Sequence, residues 1–139
     1  MRRRIMQGRI LRITLALTLA MSVSARNRDL TVSEARDLIK AYLGTAVTQL
    51  PHFGLDRLDR SVPPKFYAFE ATATTPGPES SPVIGSFAVD RATGAVWQLV
   101  ACEEVRSPGL VQLQNSIRKR IHLQAREAQR LAGRAPCSP

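Results

Sequence analysis

The sequence predicts an α+β domain in which an N-terminal helix packs on a three-stranded antiparallel sheet and is followed by a C-terminal amphipathic helix. Three observations predict this fold class. Apolar residues recur with helical spacing over residues 31–50, and they do so again over residues 108–132. Between the two helices, residues 65–75, 83–90 and 95–102 have the alternation or the composition typical of strands.

The first 25 residues are expected to be removed before the domain acts. Five arginines and no acidic residue precede Ile13, residues 13–21 are uncharged and mostly apolar, and Val23-Ser24-Ala25 supplies small residues for cleavage. This order is typical of a secretory signal peptide. The apolar stretch is too short to span a membrane, which takes about 20 residues. The protein is therefore predicted to be exported, periplasmic or secreted, with no transmembrane segment after cleavage.

Residues 26–139 are predicted to form a single small domain with a short tail. Cleavage would remove five arginines and lower the net charge from +9 to +4. The remaining positive charge is concentrated in residues 118–134, where six basic residues accompany only Glu127. The basic isoelectric point is thus poor evidence for nucleic-acid binding, and no nucleic acid is predicted as a partner.

The first helix is predicted from a capping box and an apolar stripe. In Thr31-Val-Ser-Glu34, the Thr31 hydroxyl can accept from the backbone N–H three residues on, and the Glu34 carboxylate can accept from the N–H of Thr31. Apolar residues then follow at helical spacing to Leu50, and Pro51 is expected to end the helix.

The next segment is predicted to be irregular and the one after it to be a strand. Proline and glycine punctuate residues 51–64, where Leu55 and Leu58 could form at most one helical turn. Residues 65–75 alternate as a half-buried strand does. Its apolar face holds Tyr67, Phe69, Ala71 and Ala73.

Two further strands, residues 83–90 and 95–102, are predicted to form a hairpin after a Pro-rich loop. Asp90 can accept from backbone amides of the connecting turn, and Gly94 can adopt a positive φ. In the favoured register Val89 faces Val96 and Phe87 faces Gln98. Trp97 then points to the opposite side of the sheet, near Ala88.

The second helix is predicted to begin at Ser107-Pro108, with Ser as the N-cap and Pro in the first turn. Gly133 and Pro136 are expected to close it. Six basic side chains fall on the side opposite its apolar stripe. That stripe consists of Leu110, Leu113, Ile117, Ile121, Ala125 or Ala128, and Leu131.

Two stretches of the chain together resemble the PepSY-like family of exported modules. Thr31-Val-Ser-Glu-Ala35 resembles the entry to the family's opening helix, and Phe87-Ala-Val-Asp-Arg-Ala-Thr-Gly-Ala-Val-Trp97 is similar to its closing hairpin. The resemblance covers residues 31–100 and implies a helix on a small antiparallel sheet, with a binding or inhibitory role rather than catalysis. A cystatin-like or nuclear-transport-factor-like fold would show the same order of elements.

The two cysteines, Cys102 and Cys137, can form a disulfide in an oxidising compartment. A helix running unbroken over residues 108–132 would be about 37 Å long. Residues 133–137 can reach back only about 17 Å. A bridge therefore requires the helix to stop near Leu123 so that the tail can double back. Free thiols, or an intermolecular link through Cys137, are the alternatives.

The sequence contains no recognisable catalytic, metal-binding or cofactor-binding motif. His52 and His122 lack the spacing of metal ligands, and they are expected to be ordinary surface residues. No G-x-S-x-G motif surrounds Ser80 or Ser81. Glu103-Glu104 is expected to be a pair of solvated charges, since neighbours on an extended segment point in opposite directions.

Three functional hypotheses follow from the sequence. The first is an exported, non-enzymatic binding or inhibitory module of the cell envelope, with an envelope protein as its partner. The second is a protein that adheres to an anionic surface. The third is a small secreted hydrolase, which would require Cys102 to converge with His52 or His122. The second hypothesis relies on the basic side of the second helix, through Arg118, Arg120, Arg126 and Arg130.

Overall fold

A computed structural model describes residues 29–58, 62–77 and 82–137, so the predicted signal peptide lies outside the described residues. The fold is α+β, as predicted, with an antiparallel sheet whose five strands neighbour one another in chain order. The strands are β1 (Gly54–Leu58), β2 (Phe66–Thr72), β3 (Val83–Asp90), β4 (Val96–Gln98) and β5 (Glu103–Glu104). The helices are α1 (Val32–Leu43), α2 (Thr45–Thr48), α3 (Pro108–Arg120) and α4 (Ala125–Leu131).

The β3–β4 hairpin has the predicted register. Val89 pairs with Val96, and Ala88 pairs with Trp97. At the turn, the N–H of Asp90 donates to the carbonyl of Ala95 over 2.9 Å. Gly94 adopts a φ of +73°, which glycine reaches without steric cost. The register matters because it places Val96 in the core and Trp97 on the opposite face.

The prediction of three strands was wrong, because two short edge strands complete the sheet. Residues 54–58 form β1, which pairs along its whole length with β2, where an irregular segment was expected. At the other edge, Glu103 and Glu104 form β5 and pair with Gln98 and Trp97.

The helix predicted over residues 31–50 is divided at Gly44. Its start is as predicted: the Thr31 hydroxyl accepts from the N–H of Glu34 over 3.2 Å, and the Glu34 carboxylate accepts from the N–H of Thr31 over 2.8 Å. Gly44, with a φ of +77°, ends α1, and its N–H donates to the carbonyl of Lys40. The four-residue helix α2 follows before Pro51.

The helix predicted over residues 108–132 is two helices. Ser107 caps α3 as predicted, since its hydroxyl accepts from the N–H of Leu110 over 3.2 Å. However, α3 ends at Arg120, and His122 adopts a left-handed φ of +57° that turns the chain before α4 begins at Ala125. No helix in residues 29–58, 62–77 or 82–137 is long and apolar enough to cross a membrane.

The hydrophobic core lies between one face of the sheet, here called the first face, and helices α1 and α3. On this face the aromatic rings of Phe69 and Phe87 are almost fully buried, and Phe87 makes an edge-to-face contact with Tyr42 of α1 at 5.8 Å between ring centroids. Gly109 lets the two helices approach closely, since a Cβ there would lie 3.3 Å from the carbonyl oxygen of Ala41. Helices α1 and α3 therefore cover the first face where these buried residues lie.

The opposite side of the sheet, here called the second face, carries a row of cross-strand partners, because paired residues in neighbouring strands point the same way. This row crosses all five strands and includes the chain's single tryptophan. Its members are Leu58, Ala68, Ala88, Trp97 and Glu104. Helix α4 and the C-terminal residues approach this face at its β3–β4 end, where they bound the candidate site.

Candidate functional site

A cavity of about 320 Å³, here called the groove, lies between the second face of the sheet, α3, α4 and residues 132–137, here called the C-terminal strap. The sheet contributes Phe66, Asp90, Thr93, Ala95, Trp97 and Glu104. The helices and the segment before α3 contribute Arg106, Val111, Gln114, Arg118 and the small or polar residues of α4. The volume is at the small end of the range for ligand pockets, which suits one or two side chains.

Trp97 is the principal aromatic surface of the groove. Its neighbour Val96 is fully buried in the core, so strand alternation turns Trp97 to the second face, as the sequence predicted. The indole is half-buried there, next to Glu104 on β5. A half-buried tryptophan offers a large rigid apolar surface together with a hydrogen-bond donor, which is why tryptophan is common at protein interfaces.

The base of the groove is a buried polar network around the β3–β4 turn. The carboxylate of Asp90, which is only 3% exposed, accepts from the N–H groups of Ala92 and Thr93 over 2.9 and 3.0 Å. It also pairs with the Lys65 ammonium over 3.2 Å. The sequence predicted this role of Asp90 in the turn, and the network keeps one wall of the groove rigid.

Helix α3 is fastened to the same turn by two side chains. The Gln114 amide donates to the carbonyl of Gly94 over 2.8 Å, and one turn later Arg118 Nε donates to the carbonyl of Thr93 over 3.1 Å. Arg118 therefore lines the groove rather than projecting from a solvated helix face. The helical pattern predicts Arg118 among the exposed basic residues, because the positions of residues around a helix contain no information about a hairpin packed beside it.

The C-terminal strap is held in place by a disulfide between Cys102, in the β4–β5 turn, and Cys137. The Cα atoms of the two residues are 5.9 Å apart. The sequence allowed this bridge only if the second helix stopped near Leu123. This condition is met, since α3 ends at Arg120 and the chain turns at His122. The strap thereby returns along the groove and contributes Ala132, Gly133 and Arg134 to its lining.

The four arginines proposed to contact an anionic surface do not act as one face. Arg118 binds the hairpin, and Arg120 pairs with Glu34 of the α1 capping box. Arg126 and Arg130 are exposed on α4, a separate helix. The continuous helix that would have placed all four on one face is not formed, because the break at residues 121–124 separates the two pairs. Contact of these arginines with an anionic surface stays a prediction.

Among the described residues, those considered for catalysis are not assembled into a site. Cys102 has its sulfur in the disulfide, so it has no thiolate to offer as a nucleophile. His52 and His122 are both exposed and both adopt left-handed φ angles in turns. Ser80 and Ser81 lie outside the described residues. Within the described ranges no group of three or more His, Cys, Asp or Glu is placed to hold a metal ion.

Glu103 and Glu104 are both exposed, as expected, but they have different neighbours. Glu104 pairs across the sheet with Trp97 and lines the groove, whereas Glu103 pairs with Gln98. The Glu104 carboxylate lies 3.7 Å from the Arg106 guanidinium, an exposed ion pair of little energetic weight. No local pattern in the sequence indicates that one of these two carboxylates belongs to a concave site.

Comparison with known proteins identifies a shared fold and no family. No protein-family model matches the chain, and no curated protein matches its sequence. The structure is similar to a chain of the type VI secretion system effector–immunity complex from Pseudomonas protegens, with a TM-score of 0.57 and 21% sequence identity. The match covers 76% of this chain and 88% of that chain. At this identity the likeness shows the fold alone.

Proposed function

We propose that this chain is an exported, non-enzymatic module that binds a protein and inhibits it, as an immunity protein does. The observation that carries the proposal is the groove, a concave site with a half-buried tryptophan, three arginines and a wall fixed by a disulfide. Rigid aromatic and arginine side chains in a preformed depression are the usual anchors of protein interfaces. A preformed site also avoids part of the ordering cost of binding.

Three further observations support a protein-binding, non-catalytic role. The similar solved structure is an effector–immunity complex, so proteins of this fold take part in such complexes. Cys102, the best nucleophile considered, is held in the disulfide. The PepSY-like resemblance of residues 31–100 implies the same kind of role.

Export is supported by the disulfide as well as by the sequence of residues 1–25. Disulfides persist in oxidising compartments and are rare in the cytosol. A fusion of residues 1–25 to alkaline phosphatase, which is active only outside the cytoplasm, tests this part of the proposal. We expect phosphatase activity from the fusion and none from a fusion in which three arginines near the N-terminus and the apolar stretch are deleted. An inactive full fusion would contradict export.

Binding is tested with residues 26–139 purified in oxidised form and immobilised through the N-terminus, so that the C-terminal strap is untouched. The protein encoded by the adjacent gene is the first candidate partner, followed by proteins captured from an envelope extract. We expect one of them to form a saturable one-to-one complex and to lose activity in it. Failure to find any saturable partner, or a partner whose activity is unchanged at saturation, would contradict the proposal.

A further inference from the structure

Among the described residues, the positive charges that line the groove outnumber the negative ones. Its two carboxylates have partners: Asp90 is bound by Lys65 and the turn amides, and Glu104 lies near Arg106. In the part of the chain that the structure describes, neither Arg118 nor Arg134 makes an ion pair. A basic cavity with its own acids already occupied favours an anionic ligand.

We propose that the groove binds an acidic segment of a protein partner, with a Glu or Asp carboxylate on Arg106 and Arg134 and the adjoining chain against Trp97. Arg106 can take part because its exposed, 3.7 Å pair with Glu104 engages one nitrogen of the guanidinium and leaves its other donors for the ligand. The proposal rests on the proposed function and names the chemistry of its partner. Guanidinium groups bind carboxylates through paired, charge-assisted hydrogen bonds. Trp97 adds an apolar surface beside them, against which the methylene groups of the acidic side chain and the adjoining chain can pack.

The shape of the groove favours a protein segment over a nucleic acid or a lipid surface. A volume of about 320 Å³, closed along one side by the C-terminal strap, admits side chains of a short segment and offers no extended track for a phosphate backbone. Single-stranded nucleic acids are usually bound by several stacking aromatics, and Trp97 is the chain's one tryptophan. The exposed Arg126 and Arg130, which would meet a membrane, do not line the groove.

The test uses the fluorescence of Trp97, which reports on the groove alone because the chain has a single tryptophan. The oxidised protein, residues 26–139, is titrated with a hexaglutamate peptide blocked at both ends, and with hexalysine as the probe of opposite charge. The titration is repeated with the double variant Arg106→Gln/Arg134→Gln, which alters the groove. The matched control is Arg126→Gln/Arg130→Gln, which removes the same charge from α4.

We expect hexaglutamate to change the Trp97 emission saturably, and hexalysine to leave it unchanged. The groove variant should bind roughly tenfold more weakly, since it loses two arginine–carboxylate contacts, while the α4 control stays within about twofold of the unaltered protein. Equal weakening in both variants would show binding to overall charge and would overturn the proposal. The absence of a saturable change would also overturn it.

A second measurement separates this proposal from the proposed function. Once a partner has been captured, its affinity is measured for the groove variant and for the α4 control. Partner binding that is weakened only in the groove variant supports both proposals. If the groove variant binds the partner as tightly as the unaltered protein does, the groove proposal fails and the proposed function stands. If no partner binds any of the proteins, the proposed function fails, whatever hexaglutamate does.

Discussion

The side-chain amide of Gln114 donates a 2.8 Å hydrogen bond to the backbone carbonyl of Gly94, joining α3 to the β3–β4 turn. Gln114 is only 7% exposed, and Gly94 is buried as well. A buried carbonyl that loses its donor retains the full cost of its desolvation. This contact therefore fixes the position of α3 relative to the hairpin, and with it the separation of two walls of the groove.

Replacing Gln114 by Leu should lower the free energy of unfolding by about 1–3 kcal/mol, because the carbonyl of Gly94 would stay buried without a partner. Urea unfolding followed by circular dichroism measures the change. Gln112→Leu, the same substitution at an exposed position of the same helix, is the control and should alter stability by less than about 0.5 kcal/mol. Similar losses in both variants would contradict the assigned role of Gln114.

Replacing Asp90 by Ala should lower the free energy of unfolding by about 2–4 kcal/mol, since the buried carboxylate accepts from two turn amides and from Lys65. Asp90→Asn keeps one acceptor oxygen and should recover part of the loss. Thermal and urea unfolding measure both variants. The control is Asp56→Ala on the exposed edge strand, and a loss there as large as in Asp90→Ala would contradict this account.

Removing the disulfide with Cys102→Ser/Cys137→Ser should lower the free energy of unfolding by up to about 4 kcal/mol, because the bridge restricts an unfolded-chain loop closed over a sequence separation of 35. Urea unfolding with and without a reducing agent measures it. The unaltered protein should lose stability on reduction, whereas the double variant should not respond. A reduced protein as stable as the oxidised one would show that the bridge does not contribute to stability.

Reducing the disulfide should also expose Trp97, because the C-terminal strap lines the same groove as the indole. Acrylamide quenching of tryptophan fluorescence measures this in native buffer, with circular dichroism confirming that the protein is still folded. We expect a larger quenching constant after reduction. The Cys102→Ser/Cys137→Ser variant should show the higher constant with or without reductant. An unchanged constant in the folded, reduced protein would mean that the strap stays in place without its bridge.

The parts of the fold that local chemistry determines could be predicted from the sequence. The Thr31–Glu34 capping box, the Ser107 N-cap and the β3–β4 register depend on residues within a few positions of one another, and all three predictions were confirmed. Because successive side chains of a strand point to opposite faces of the sheet, the register also placed Trp97 on the face opposite to that of Val96.

Strand β1 was missed because it is partly buried on both faces. Leu55 pairs with Ala71 and faces the core, whereas Leu58 pairs with Ala68 and faces the other way. The spacing of three between the two leucines resembles a helical turn, although it arises from a strand that packs on both sides. Only the pairing with β2, which is a non-local interaction, distinguishes a strand from a helical turn here.

The break between α3 and α4 and the groove itself could not be read from local patterns. Ile117 and Ile121 continue the helical stripe up to His122, which is neither glycine nor proline but adopts a positive φ. The groove brings together residues from Phe66 to Arg134, most of which are neighbours only in the folded protein. The one available signal was the reach of the tail: a bridge from Cys137 to Cys102 requires the helix to break.

The chain-order arrangement of the sheet has a consequence for how the protein folds. Every strand pairs with the strand that precedes or follows it, so the sheet can form by closing one hairpin after another, without a long-range crossover. The closure between Cys102 and Cys137 spans a sequence separation of 35 and joins the β4–β5 turn to the residues that follow α4. We therefore expect the sheet and core to form first and oxidation to come last, with one intrachain pairing open to the two cysteines.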